Sequence, residues 1–155
     1  MDTRAAKASD AEIITHHRKQ MYVEAGRQDD GGLELMAEHF TPWVAEMMEK
    51  GKYLGWLTTD NQRVIAGVGL LILDWPPHPI DPRQCYRGYL LNLYVEPEYR
   101  HRRLASNLIE MVLGEARSRQ IRVVALHSTD EARPLYEGNG FRATNELFRI
   151  ESDEE

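Results

Sequence analysis

The stretch Tyr89–Ala105, YLLNLYVEPEYRHRRLA, decides how the rest of the chain reads. An apolar run from Tyr89 to Val95 describes a strand, and Glu96 and Pro97 end it. Arg100, His101, Arg102 and Arg103 follow, after which Leu104, Leu108, Met111 and Val112 recur at helical spacing. Cationic side chains at a helix N-terminus oppose the macrodipole, which favours negative charge there. In a chain of net charge −6 that placement costs stability unless an anion is held. The unpaired N–H groups of the first helical turn suit the same anion. The stretch therefore reads as a phosphate-binding strand–loop–helix.

Working outward, residues 3–8 suggest a short first strand. Ser9-Asp10-Ala11-Glu12 has the form of a capping box opening a helix to about Ala25, ended by Gly26 and the Asp29-Asp30-Gly31-Gly32 cluster. A second helical region, 33–50, carries Leu33, Met36, Phe40, Val44 and Met47 on one face, and Thr41-Pro42 predicts a break within it. The period then changes. Residues 53–59 and 63–73, joined by a turn at Asp60-Asn61, predict an antiparallel hairpin. The proline-rich run 75–82 is a loop, and Tyr86 to Val95 is the next strand, of which the central stretch is the apolar part. Beyond the central stretch come a helix at 104–118, a strand at 121–126, a short helix opened by Ser128-Thr129-Asp130-Glu131, and a last strand at 141–150. Strands that precede a single strand–helix–strand crossover predict an α+β sheet with helices on both faces.

At 155 residues the chain fits one domain, 1–155, with an acidic tail at 151–155 expected to fray. The acidic balance argues against a nucleic-acid binder, so the basic cluster suits a small polyanion. Cys85 is the only cysteine, which with the absence of a signal-like or membrane-length apolar segment leads to a cytoplasmic expectation. His16, His17, His78 and His127 have no metal-ligand spacing, and no metal site is expected.

Two segments carry a family resemblance. Val95-Glu96-Pro97-Glu98-Tyr99-Arg100-His101-Arg102-Arg103-Leu104-Ala105 resembles the acetyl-CoA loop of the GNAT superfamily of N-acetyltransferases, with Arg100 at its Arg/Gln position and Ala105 at its last Gly/Ala position. Ala132-Arg133-Pro134-Leu135-Tyr136-Glu137-Gly138-Asn139-Gly140-Phe141 is similar to the second signature, A-x-x-L-Y-E-x-x-G-F. The resemblance implies a mixed, mostly antiparallel sheet of about six to seven strands. It implies acetyl-CoA as cofactor, held by Leu93, Tyr94, Val95, Arg100, His101, Arg102, Arg103, Leu104, Ala105, Ser106 and Thr129. Thr129 stands where the family has an Asn touching the pantetheine arm. Arg103 replaces the first loop glycine, whose lack of a Cβ admits close approach of the pyrophosphate.

The resemblance makes Tyr136 the general acid, protonating a thiolate whose ordinary pKa is about 8.5. The competing reading is a packed helix tyrosine with a surface hydroxyl. It also implies that the strand around Leu93–Val95 splays beyond a bulge, freeing a backbone N–H as oxyanion donor, against the alternative of an ordinary central strand. Tyr89 stands near the place of the family's usual Glu base and has no carboxylate. Glu24, Asp74, Glu96 and a water chain are open alternatives for that role. Glu24, Asp74, Trp75 and Asn92 form the expected acceptor side, with Asn92 placed on the strand face opposite Leu91 and Leu93. The expected substrate is a small-molecule or peptide amine, with no nucleic-acid or membrane partner; the hairpin and the last strand are the candidate dimer contacts. The competing function is a non-catalytic acyl-CoA-binding module.

Overall fold

The computed structural model describes residues 1–28 and 31–151. Asp29-Asp30 of the expected helix stop and residues 152–155 of the acidic tail lie outside them. Strand β1 (Asp2–Ala5) is followed by a short 3₁₀ turn, then helices α1 (Ala11–Glu24) and α2 (Gly32–Glu49). Strands β2 (Tyr53–Asp60), β3 (Arg63–Asp74) and β4 (Tyr86–Val95) come next, followed by α3 (Leu104–Ser118), β5 (Val124–Ala125) and α4 (Arg133–Gly138). The sheet runs β1-β2-β3-β4-β5, antiparallel except for the parallel β4–β5 pair. Among the described residues no helix is long and apolar enough to cross a membrane.

Helices cover both faces. Leu108, Ile109, Val112 and Ala116 of α3 pack with Ile65, Leu70, Leu90 and Val95 on one side. Ile14 of α1, Phe40 and Val44 of α2, and Tyr53 and Leu57 of β2 form the core of the other. Each large aliphatic side chain so buried contributes about 1.5–3 kcal/mol. Met111, expected on the inner face of α3, is instead 37% exposed, one position off the Leu108–Val112 stripe.

Several expectations change. No Ser9–Glu12 box forms: α1 starts without a side-chain cap, and the Asp10 carboxylate instead closes the preceding 3₁₀ turn by accepting the Lys7 N–H, while pairing with Arg4. Helix α2 is continuous through Pro42. Pro42 and Glu38, whose carbonyl loses its intrahelical partner, both face solvent, where water can replace the bond. Thr41 is held at that point by its hydroxyl, bonded to the Ala37 carbonyl and to Thr15 Oγ1. The hairpin turn is Asn61-Gln62, both residues left-handed as a two-residue type I′ turn requires, one place beyond the expected turn.

The sheet has five strands, not six to seven. Of 121–126, only Val124–Ala125 pairs, because parallel β5 approaches β4 closely only at Gly88 and Tyr89. Residues 141–150 form no strand; Leu147, Phe148 and Ile150 are 96%, 80% and 78% exposed. Their apolar residues fall on both parities, so no single face could be buried, and β5 is too short to offer them an edge.

Candidate active site

The site begins with an irregularity in β4. Gly69 of β3 pairs with Leu91 and Gly67 with Tyr94, so Asn92 and Leu93 together face one residue, Val68. Asn92 takes up the extra length at φ 57°. Its buried amide is used at both ends: Nδ2 donates to the Tyr53 hydroxyl (3.0 Å) and Oδ1 accepts from Arg18 Nη1 (2.9 Å). Tyr53 reaches it through the space left by Gly69, where a Cβ would lie 2.1 Å from the tyrosine oxygen. The bulge also turns Asn92 to the α1–α2 side, the same side as Leu91, while Leu93 packs on the α3 side. Strict alternation had put Asn92 opposite Leu91.

Beyond this point β4 keeps its ladder to β3 but has no strand on its other edge, since pairing with β5 ends at Tyr89–Ala125. Leu93, Tyr94 and Val95 thus border an open seam. At its far end the loop turns into α3. Arg100 is folded back: Nε donates to the Val95 carbonyl (2.8 Å), Nη2 pairs with Glu24 (2.7 Å), and the Tyr94 hydroxyl donates to the same carboxylate (3.3 Å). Burial and the adjacent Glu24 push the Tyr94 phenol up to about 12. His101, Arg102 and Arg103 are exposed, and His101 and Arg103 are left-handed at φ 63° and 64°. Helix α3 has no side-chain cap and no acid in its first turn, so the N–H groups of Leu104, Ala105 and Ser106 are without intrahelical or capping partners. That set of donors and positive side chains fits a diphosphate.

Tyr136 lies on α4, buried, edge-on to Phe141 at 5.9 Å, and its hydroxyl has no hydrogen-bond partner among the described residues. Burial, with Tyr89 nearby, pushes its phenol up to about 12. The Thr129 hydroxyl accepts the Ala132 N–H (3.2 Å) and so shapes the turn into α4 in place of the expected Ser128 box. Tyr136 and Trp75 line one cavity of about 590 Å³, which also reaches Arg87, Val124, Phe141 and Glu146. Trp75 lies 4.0 Å beneath the Arg87 guanidinium, and Asp74 is exposed at the end of β3. The structure therefore joins Glu24, Tyr94 and Arg100 into one cluster and Trp75 with Tyr136 in one cavity, while Asp74 belongs to neither.

Sequence reasoning missed two features. The Tyr89 hydroxyl is hydrogen-bonded to His127 Nδ1 across the mouth of the seam. Arg18 projects from α1 onto the Asn92 bulge. A histidine directly after an apolar strand was the available signal for the first; no local pattern signalled the second.

The family model for the acetyltransferase (GNAT) domain matches residues 30–151. The chain belongs to the GNAT acetyltransferase family. A crystal structure of a GCN5-related N-acetyltransferase from Ralstonia eutropha JMP134 is 36% identical, with a TM-score of 0.91, covering 96% of this chain and 97% of that one. A second, described as a predicted acetyltransferase with acetyl-CoA from Clostridium acetobutylicum, shares the fold at a TM-score of 0.88 and 23% identity, covering 97% and 95%. No curated protein sequence matches the chain. Within this GNAT fold, the uncapped α3 terminus and the β4–β5 seam meet the two signature segments.

Proposed function

We propose that this chain is an acetyl-CoA-dependent N-acetyltransferase that passes the acetyl group to a primary amine by direct attack in a ternary complex. The observation that carries the reading is the seam: past Tyr89–Ala125 the β4 edge, which holds the Asn92 bulge, is free of β5 and leads from Tyr89, with Tyr136 nearby, to the uncapped α3 terminus. Acetyl-CoA supplies the activated acyl group as a thioester. The N–H groups of Leu104, Ala105 and Ser106, with His101, Arg102 and Arg103, hold its diphosphate. Main-chain groups of Leu93, Tyr94 and Val95 hold the arm and the thioester oxygen, and Thr129 contributes to holding the arm. Arg100 serves this loop by tying it to β4 and α1 rather than by offering a free charge.

As the amine nitrogen bonds to the acyl carbon, the C–S bond breaks. Tyr136 Oη, fully protonated at neutral pH, donates to the departing sulfur. The nitrogen's proton goes to Tyr89 Oη while Tyr89 passes its own to His127 Nδ1, so charge does not accumulate on the phenol; His127 then gives that proton to solvent and the Tyr136 phenolate takes one from solvent, which restores both groups. Glu24, Asp74, Trp75 and Asn92 remain on the acceptor side of this reading, with Asn92 shaping the bulge. A cytoplasmic setting is part of the same proposal.

The deciding experiment measures thiol release from acetyl-CoA across a panel of primary amines, alongside thermal protection by acetyl-CoA at low salt. Protection with amine-dependent release supports the enzyme. Protection with no release for any amine gives a CoA-binding module instead, and loss of both removes the reading.

A further inference from the structure

We infer that the acceptor carries a carboxylate close to its amine, as an amino acid does, and that Arg18 receives it; this rests on the proposed acetyl transfer. Arg18 is half-buried on α1, over the Asn92 bulge. Its guanidinium has five N–H donors. Nη1 donates to Asn92 Oδ1 at 2.9 Å and Nη2 to the Tyr22 hydroxyl at 3.2 Å. Nε is buried and has no partner.

Its surroundings lack an anion. Among the described residues no carboxylate lies within ion-pair distance of Arg18, whereas the neighbouring cations Lys19 and Arg100 are paired with Glu34 and Glu24. Instead the guanidinium lies over the rings of Phe40 and Tyr22, at 5.0 and 5.3 Å. Aromatic faces stabilise the cation without neutralising it. A partly desolvated charge with no counter-ion costs stability, and a carboxylate accepting two parallel N–H bonds offsets that cost.

Position supplies the second argument. Tyr89, last paired residue of β4 before the seam opens, lies within electrostatic reach of both Arg18 and Tyr22. Arg18 thus stands on the α1 side of the strand whose open edge borders the reaction point. A carboxylate on Arg18 and an amine at Tyr89 describe one small molecule.

The test uses matched ligands: L-leucine against L-leucinamide and isoamylamine, and L-phenylalanine against phenethylamine. Thermal protection of the CoA-saturated protein and acetyl-CoA-dependent thiol release are read for each. The carboxylate-bearing member is expected to bind and to react about 10- to 100-fold better. Arg18→Met is expected to remove that preference, and Arg18→Lys to restore part of it, because lysine offers the charge without the fork. Equal responses to acid and neutral partners in the unaltered protein overturn the inference without any variant. So does Arg18→Met slowing both partners equally, which marks a purely structural role. Carboxylate-selective protection with no turnover of any amine leaves the anion site standing and removes the transferase reading.

Discussion

Tyr89 and His127 join hands across the point where β4 and β5 part: the phenol hydroxyl of one is bonded to Nδ1 of the other. Tyr89 is the β4 member of the last parallel bridge, Tyr89–Ala125, and His127 lies two residues beyond that bridge on the β5 side. Burial and the neighbouring Tyr22 raise the Tyr89 pKa, so the phenol keeps its own proton unless the imidazole takes it. His127→Gln and Tyr89→Phe are each expected to lower kcat about 100-fold, in line with loss of a proton acceptor, and to leave acetyl-CoA affinity within about twofold. Initial rates over pH 5.5–9 with calorimetric CoA titrations check this; a kcat within threefold of the parent for either variant removes the relay.

Tyr136→Phe deletes one oxygen from a buried ring whose hydroxyl has no hydrogen-bond partner among the described residues. Its removal leaves nothing unsatisfied, so the folded state is expected to lose less than about 1 kcal/mol. Turnover is expected to fall about 100-fold with little change in CoA binding. Thermal melts, titration and steady-state rates on the same preparation separate these effects. An unchanged kcat would take Tyr136 out of the mechanism.

Arg103 occupies a left-handed backbone position, φ 64°, at the entrance to α3. A side chain with a Cβ costs roughly 1–2 kcal/mol in that region. Arg103→Gly is therefore expected to raise stability by about 1 kcal/mol, a Tm gain of about 2–4 °C for a chain of this size. The same variant removes one positive charge from the proposed diphosphate site, so CoA affinity is expected to fall and to become less salt-sensitive. Melting curves and titrations at two ionic strengths measure both.

His17 is buried against Tyr94, with ring centroids 5.1 Å apart and Nε2 unpartnered. Burial, helped by neighbouring His16, lowers its pKa from 6.5 to about 4. The unfolded chain then binds the proton that the folded one refuses. Between pH 6.5 and 4 stability falls as pH falls, by up to about 1.4 kcal/mol per pH unit from this group. His17→Leu is expected to flatten that slope without loss of stability at pH 7, since it replaces an unsatisfied polar ring by an apolar side chain. Denaturant melts of both proteins at pH 4.5, 5.5 and 7 give the comparison.

The extent of α3, 104–118, and of β4, 86–95, was legible because apolar period, Pro97 and the basic loop all lie within a few residues of each other. The break expected at Pro42 was not realised, since proline's effect depends on whether the orphaned carbonyl reaches water, which packing decides. Residues 141–150 looked like a strand by composition, but a strand also needs an edge to pair with, and β5 is two residues long. Tyr136 and the α3 terminus enter the proposed site through their motifs, which lie in short contiguous segments. Arg18 and the Tyr89–His127 pair were not, because each joins residues 38 or more positions apart.

What the amino-acid order determined unaided was local: helix and strand type, the basic loop set against a helix dipole, and the two signature segments. The tertiary structure alone decided that Asn92 would bulge, which way it would face, and where β4 would part from β5. The first two outcomes depend on Tyr53 passing through the gap at Gly69 to Asn92, and on Arg18 reaching it from α1, across separations of 39 and 74 residues. Short-range propensity carries no record of such contacts, because their energy appears only when the distant partners are packed together.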